Sequence, residues 1–569
     1  MRTCQQLYNA LYICTLIVLI YLSYAHVHRR IHTNCCTVTA RLTGSTNNGC
    51  NVSVITGVNA MSKRHLWLQA AFTTLLAVLF LSACGGSSAP GNLPDEPYEP
   101  VPYSLYPAPE GAYVGDTMPF VTEDGTLELY YLYETDHNGQ GYHPVYKYST
   151  TDLCSYEDHG KVLDYGLMSD PDPAIGTGSV MQDTDGLYHL FYTGHNDAGN
   201  GGKGKECVMH ATSTDRESWT KQPDDTFFAP EGYSTDDFRD PEVFWVEEEQ
   251  CYWLLIAARA NDLGGVVAKY TSPDLKKWKF EGPIYAPNEQ YMLECPDLFK
   301  MGDKYYLTYS WDCVTYYAMG DSMNGPFEAP EDNVLDGTGF VFYAAKTAEL
   351  NGTRYLCGWV GRAGLTDDSG IYQWAGNVVN HELVQHDDGT LGVKAPETFA
   401  NRFTAEKPFQ AVNKQGKVTI KDNNISLKSQ GSTYALADMG TRPATMILEC
   451  DVTFDKGGRA GFAFGGSETE PTYTALCLDG EKGIYHYEGN PIEDLAMFDP
   501  QVYTRLDFGD GEAHHVTMVC ENEIVITYID DVKALSTRIA RSTNGAHICV
   551  FADGCSAEFS NITMRLPEE

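Results

Sequence analysis

Three acidic residues, Asp116, Asp240 and Glu294, each open a run that otherwise reads as a buried strand. Glu294 heads the stretch Glu294-Cys295-Pro296-Asp297-Leu298-Phe299, which ends at the turn Met301-Gly302-Asp303 and leads into an aromatic run from Lys304 to Trp311. Asp116 lies in Tyr113-Val114-Gly115-Asp116-Thr117-Met118-Pro119-Phe120, ahead of Asp124-Gly125. Asp240 lies in Asp237-Phe238-Arg239-Asp240-Pro241-Glu242-Val243-Phe244, ahead of the turn at Glu247 to Gln250. Each acid stands seven or eight positions before its turn. Burial raises a carboxyl pKa and a neighbouring negative charge raises it further, so a Glu placed this way is a natural proton donor near neutral pH. The plainer reading is a carboxylate satisfied by backbone amides or, for Arg239-Asp240, a local ion pair. Neither accounts for three acids at equivalent depth, where like charges repel and persist only if something uses them.

The elements that must position these acids form a repeat. From Gly111 to about residue 380, a turn carrying Gly, Asp or polar residues leads five times into an aromatic strand. The copies begin at Leu127, Leu187, Cys251, Lys304 and Thr353, at spacings of about 50 to 65 residues, the range of propeller blades. After most of them comes a second strand and a polar turn with an aromatic, as in Ser149 to Tyr156, Thr212 to Trp219 and Thr271 to Trp278. Alternating apolar residues, tight turns and no long helical period predict an all-β chain, with five units of four short strands forming a five-bladed β-propeller over 111–380. A pair of β-sandwiches is the alternative. Residues 381–404 read as a linker broken by Pro396, and 405–569 as a β-sandwich of short, closely spaced strands. In this arrangement the acid-bearing strands are the innermost of their blades, which gathers the acids at one mouth of the funnel.

The N-terminal part carries targeting signals. Lys63-Arg64, the apolar run Ala70 to Leu81 and Leu81-Ser82-Ala83-Cys84-Gly85-Gly86 form a charged region, an apolar core and a small-residue cleavage site. The ending resembles the lipobox of bacterial lipoproteins, which implies a signal peptide over 61–84 and lipid on Cys84. The protein is then expected outside the cytoplasm on a bacterial cell surface, touching the membrane only through that lipid. An ordinary signal peptide or membrane anchor is the alternative. Residues 1–60 read as an over-extended start, and 85–110, rich in Pro, Gly and Ser, as an extended tether.

Composition limits the partners. Residues 1–83 hold six Lys and Arg and no acid, so the rest carries 33 basic against 77 acidic residues. That charge repels nucleic acid and anionic membrane but does not penalise a neutral sugar. Eleven cysteines follow Cys84, an odd number without CxxC spacing, and read as buried small side chains rather than a disulfide framework or a zinc site.

The motifs together resemble glycoside hydrolase family 32, the invertase, inulinase and levanase group. Phe238-Arg239-Asp240-Pro241 is similar to the family's RDP motif, and Glu294-Cys295-Pro296-Asp297-Leu298-Phe299 to its ECPDLF motif. Tyr113 to Pro119 runs in register with an altered first motif, so that Asp116 falls on its aspartate. Ile175-Gly176-Thr177-Gly178-Ser179 resembles its SGS segment, and Val341 to Ala345 and Cys357-Gly358-Trp359 resemble two further segments.

The resemblance implies retaining hydrolysis of terminal fructosyl residues in sucrose or fructans, with two carboxylates roughly 5 Å apart. It makes Asp116 the nucleophile, Glu294 the acid and base, and Asp240 the transition-state stabiliser. Arg239 would keep Asp240 ionised, and Gly178, Ser179, Tyr343 and Trp359 would contact the sugar. The substrate is an oligo- or polysaccharide, and no metal or organic cofactor is expected. The altered positions Gly115, Thr117, Met118, Leu132, Pro144-Val145-Tyr146 and Asn380-His381-Glu382-Leu383 leave the fructoside class, and hydrolysis against transfer, open. Two other functions compete: a propeller glycosidase for arabinosides or xylosides, and a glycan-binding lipoprotein without catalysis.

Overall fold

The computed structural model describes residues 91–568 except 136–142, 365–367, 369, 431–432, 466–472, 488–491, 493–494 and 496–498. Residues 1–60, the signal-peptide segment 61–84 and Cys84 therefore lie outside the described residues.

The aromatic runs form strands because they pack on both faces. Leu127–Glu134, Tyr188–His195, Cys251–Ala260, Lys304–Trp311 and Thr353–Ala363 are each the second strand of an antiparallel meander. The strand before each of these is the inner one. Tyr113–Val121 packs against Ala174–Gln182, that against Tyr233–Val246, that against Glu294–Met301 and that against Tyr343–Leu350, which returns to Tyr113–Val121. The ring closes into a β-propeller. Its first and last meanders also share one hydrogen-bonded sheet, joined through Val114 and Gly376.

A recurring turn explains the motif that follows three of the third strands. Asp152, Asp215 and Asp274 each accept backbone N–H groups two and three residues on, and Thr150, Ser213 and Ser272 brace the same turns. The next residues, Leu153, Arg216 and Leu275, take left-handed φ values of 59°, 64° and 60°. Short polar side chains that hydrogen-bond their own backbone stabilise such turns.

Three expectations need correction. The fourth meander has three strands rather than four, because Pro326 and Pro330 cannot donate to a ladder and only isolated bridges at Met319–Glu328 and Tyr316–Val334 mark its outer edge. The propeller does not end at residue 380, and 381–404 is not a free linker. Tyr372–Gln385 runs through that boundary, Leu391–Lys394 pairs with it, and a short helix, Glu397–Arg402, follows.

Nor is 85–110 a free tether, as far as it is described. Gly91 donates to the Asn413 carbonyl at 2.9 Å, Glu96 N to Thr441 Oγ1 at 2.8 Å, and Val101 N to Asn522 Oδ1 at 3.0 Å. The buried Glu521 carboxylate then accepts the backbone N–H groups of Ser104, Leu105 and Tyr106 at 2.9–3.1 Å. Proline set the extended shape; the hydrogen bonds fasten it to the second domain.

That domain is a β-sandwich of two antiparallel sheets, one built around Thr445–Phe454 and Ser556–Leu566, the other around Arg459–Gly465 and His547–Asp553. Ile524–Ile529 is buried at every position. Val525 and Ile529 face the sandwich core, whereas Ile524, Ile526 and Tyr528 face the propeller core. The joint is also polar: Asp336 accepts from Ser536 N at 2.7 Å and pairs with His381 Nε2 at 2.9 Å, while His381 Nδ1 meets the Tyr528 hydroxyl at 2.9 Å. All eleven described cysteines are free and nine are buried, in line with their reading as small core side chains.

Glu521→Ala leaves three N–H groups without an acceptor in a buried place. Its expected cost is about 2–4 kcal/mol in urea unfolding, with new protease sensitivity between residues 91 and 106. Wild-type stability in this variant would show that the segment is only laid on the surface.

Candidate active site

All five inner strands break register, three of them at or beside the acids. The shifts fall between Val114 and Thr117, Gly176 and Gly178, Arg239 and Glu242, Glu294 and Asp297, and Tyr343 and Lys346. A β-bulge leaves a residue unpaired, bends its strand and re-aims a side chain. Asp240, Cys295 and Ala344 hold left-handed φ values of 62°, 51° and 54° inside these bulges. Pro241 and Pro296 follow two of them, where the ladder needs no N–H. The Asp-Pro and Glu-Cys-Pro patterns are therefore bulge sequences.

Hydrogen bonds tie the bulges together. Asp116 Oδ2 accepts from the Thr177 hydroxyl at 2.7 Å, and its Oδ1 accepts from the indole N–H groups of Trp359 and Trp374, both at 3.1 Å. Asp240 Oδ2 accepts from Cys295 N at 3.0 Å, directly beside Glu294, and Asp240 N donates to Thr193 Oγ1 at 2.8 Å. Glu294 Oε1 accepts from Arg239 at 2.8 and 3.2 Å, and its Oε2 accepts from the Tyr343 hydroxyl. Trp359 packs edge-on to Tyr343 at 5.9 Å, closing the path from Asp116 to Glu294. Asp240 is buried; Asp116 and Glu294 keep part of their surface open at the mouth. The sequence placed the three acids together, and the structure does so too.

Their charges respond to burial first. Burial pushes the Asp240 carboxyl up to about 8; Arg239 pulls it down, while Glu294 and Asp116 push it further up. Burial also raises Asp116, helped by the Glu294 charge and opposed by the hydrogen bonds from Thr177 and Trp359. Burial and the Glu294 charge keep the Tyr343 hydroxyl protonated, and so a donor.

The expectation that Arg239 keeps Asp240 ionised is corrected. Its guanidinium bonds to Glu294 and, at 3.1 and 3.2 Å, to Glu206. Burial of Asp240 outweighs the Coulomb attraction that remains.

Two other residues differ from their expected roles. Ser179 accepts from Val243 N at 2.9 Å, which turns its hydroxyl into the neighbouring inner strand. Gly178 is a packing position, since a Cβ there would lie 1.7 Å from the Phe191 carbonyl oxygen, and its own carbonyl accepts from Lys346 Nζ at 2.8 Å. Tyr343 and Trp359 are buried and donate to the acids.

The region matches the family model "Glycosyl hydrolases family 32 N-terminal domain" over residues 107–392, half of the chain. The chain belongs to glycosyl hydrolase family 32.

Among curated relatives, a sucrose-6-phosphate hydrolase of Vibrio alginolyticus is 27% identical over 314 residues, covering 52% of this chain and 63% of the relative. The match thus spans under two thirds of that relative's length. A levanbiose-producing levanase of Bacillus subtilis (strain 168) is 21% identical over 490 residues, covering 78% of this chain and 86% of the relative. Among solved structures, exo-inulinase from Aspergillus awamori superposes with a TM-score of 0.62 at 18% identity, covering 84% of this chain and 100% of that one. A fructosyltransferase from A. japonicus gives 0.63 at 16% identity, covering 85% and 98%.

Several departures from the family 32 motifs now have local reasons. Gly115 admits the ring of Trp374, since a Cβ there would sit 2.4 Å from a ring carbon, and that close approach lets Trp374 reach Asp116. Thr117 donates to the Cys357 carbonyl at 2.9 Å, while Met118, Leu132 and Val145 fill the core beside the pocket. Asn380 and His381 serve the structure: Asn380 donates to the Tyr156 hydroxyl at 2.8 Å, and His381 belongs to the joint with the sandwich.

Sequence reasoning missed Thr177, Trp374, Glu206 and His195. Thr177 lay in a quoted segment, one residue from those chosen. Trp374 had a signal in the small residue it requires, Gly115. Glu206, below the usual carboxylate range because His195 and Arg239 offset its burial, gave none.

The Asp240 shift predicts a pH dependence. Its unfolded value is 3.8 and the folded protein holds the proton to about 8, so this stability is complete below about 4 and is lost as pH rises through about 8. Asp240→Asn, which keeps the acceptor for Cys295, should gain Tm over wild type at pH 8 and gain less at pH 5. Equal differences at both pH values in calorimetric melts would refute the assignment.

Proposed function

We propose that this protein is a retaining glycosidase that removes terminal fructosyl residues from sucrose or from inulin- or levan-type oligosaccharides. The observation that carries the reading is the network of hydrogen bonds and aromatic packing that brings Asp116, Asp240 and Glu294 to one mouth. Asp116, its Oδ1 pinned by two indoles, attacks the anomeric carbon as the bond to the leaving oxygen breaks. Glu294 gives that oxygen its proton. Water then gives a proton back to Glu294 and adds its oxygen to the anomeric carbon, freeing Asp116. Asp240 faces the ring hydroxyls and hydrogen-bonds them, as a donor through the proton that its burial lets it keep. Arg239 and Tyr343 hold Glu294 in position through one oxygen each. A sugar in place of water as acceptor makes the same site a fructosyltransferase.

Asp116→Asn and Glu294→Gln should each lower kcat/KM by at least ~10³-fold on any fructoside the wild type cleaves. Near-normal turnover by either variant, followed as released fructose, would end this reading.

We also propose that lipid on Cys84 holds the protein at a bacterial surface. Gly91 is fixed to the sandwich, and the seven residues from Cys84 reach ~25 Å at full extension, so the body would ride close to the bilayer. Cys84→Ala should move the protein from the membrane pellet to the soluble fraction; retention in the pellet would count against the anchor.

A further inference from the structure

An aromatic stack leads outward from the acid end of the fourth meander. Tyr291, three residues ahead of Glu294, is 58% exposed. Its ring lies over Trp311 at 5.1 Å and 17°, and Trp311 over Tyr316 at 5.6 Å and 23°. Trp311 follows Ser310, the residue paired with Glu294. The turn beyond it, Asp312-Cys313, holds φ values of 48° and 65°, a tight hairpin turn that sets the indole at the mouth end of the blade.

The exposed ring is firmly mounted. Gly265 lets the backbone pass close by, since a Cβ there would lie 1.6 Å from the Tyr291 carbonyl oxygen, and Arg259 donates to the Gln290 carbonyl. Tyr503 of the sandwich, 45% exposed, is linked to the same hairpin only through the segment 338–340. Its carbonyl accepts from Thr338 N at 3.0 Å, and Phe340 N donates to the Cys313 carbonyl at 3.1 Å. Large aromatic faces left open beside a reaction centre mark a binding surface. Tyr291 and Tyr503, each stacked on a neighbouring ring and otherwise exposed, fit the C–H face of a sugar, and Trp311 backs Tyr291. Asp312 and Glu289 place negative charge beside Tyr316, which favours a neutral glycan over a sugar phosphate.

We infer that Tyr291, Trp311 and Tyr503 form a platform for the sugar units beyond the bond being cut, so that the protein is built for chains rather than for a disaccharide. The inference rests on the fructosidase reading for its direction: Tyr291 and Trp311 flank the residue that protonates the leaving oxygen.

The test is kcat/KM on fructo-oligosaccharides of two to five units for wild type, Tyr291→Ala, Trp311→Ala and Tyr503→Ala, each first shown to melt like wild type. The loss should grow with chain length to on the order of 10-fold, and Tyr291→Phe should restore it. A uniform loss at every length, or none, overturns the platform. If the wild type cleaves no fructoside, the activity reading fails by itself. Calorimetry with the same oligosaccharides and with xylo-oligosaccharides then decides: binding lost in Tyr291→Ala supports the platform, and equal binding, or none to wild type, refutes it.

Discussion

Like-charge repulsion is the constraint around which the mouth of this propeller is organised. Three carboxyls drawn from three inner strands cannot all be buried and ionised together without compensation. The protein supplies one guanidinium, two indole N–H groups, a threonine and a tyrosine hydroxyl, and a backbone amide. It also lets Asp240 hold its proton to about 8. Each compensating group comes from a strand other than that of the acid it serves, so the hydrogen bonds that quiet the repulsion also lock neighbouring meanders together. Site and scaffold are one network here. The bulges are its mechanical part, because a regular ladder would turn these side chains into the walls.

Much of this was legible in the chain. The acids announced themselves by type and position, since a charge at the head of an apolar strand is an anomaly that is visible without knowledge of the fold. Aromatic runs behind Gly and Asp turns located the second strand of each meander; Lys304–Trp311 matches residue for residue. What the sequence could not reveal was partnership across strands. Arg239 adjoins Asp240 in the chain, yet a bulge turns its guanidinium toward Glu294 and Glu206. The sequence reading takes Ser179 and not Thr177 as a sugar contact, because the register shift between Gly176 and Gly178 decides which of them faces the axis. Pattern reading fixes the type of an element far better than the direction of a side chain inside an irregular one.

Boundaries failed for a different reason. Residues 85–110 have the composition of a free linker. The described residues 91–106 are instead fastened by acceptors more than 300 residues away, Thr441, Glu521 and Asn522, that no local window contains. The expected edge of the propeller at residue 380 sets 381–404 apart as a linker broken by Pro396, although the strand ending at Gln385 crosses that edge. A proline marks where a ladder must stop, which can lie well beyond where a domain is guessed to end.

The sandwich matters to the site through stiffness. Ile524–Ile529 is apolar on both faces because it belongs to two cores at once, and Asp336, His381, Ser536 and Tyr528 place a buried polar cluster in the same joint. A buried network of this kind costs much when half satisfied, so the two domains have few alternative dockings. Residues 334–342 run from that joint to the mouth, carrying Phe340 against Tyr343 and Trp359, the donors to Glu294 and Asp116. Any shift of the sandwich therefore reaches both carboxyls through one short loop. Rigid docking of the second domain is thus part of how the first keeps its acids aligned.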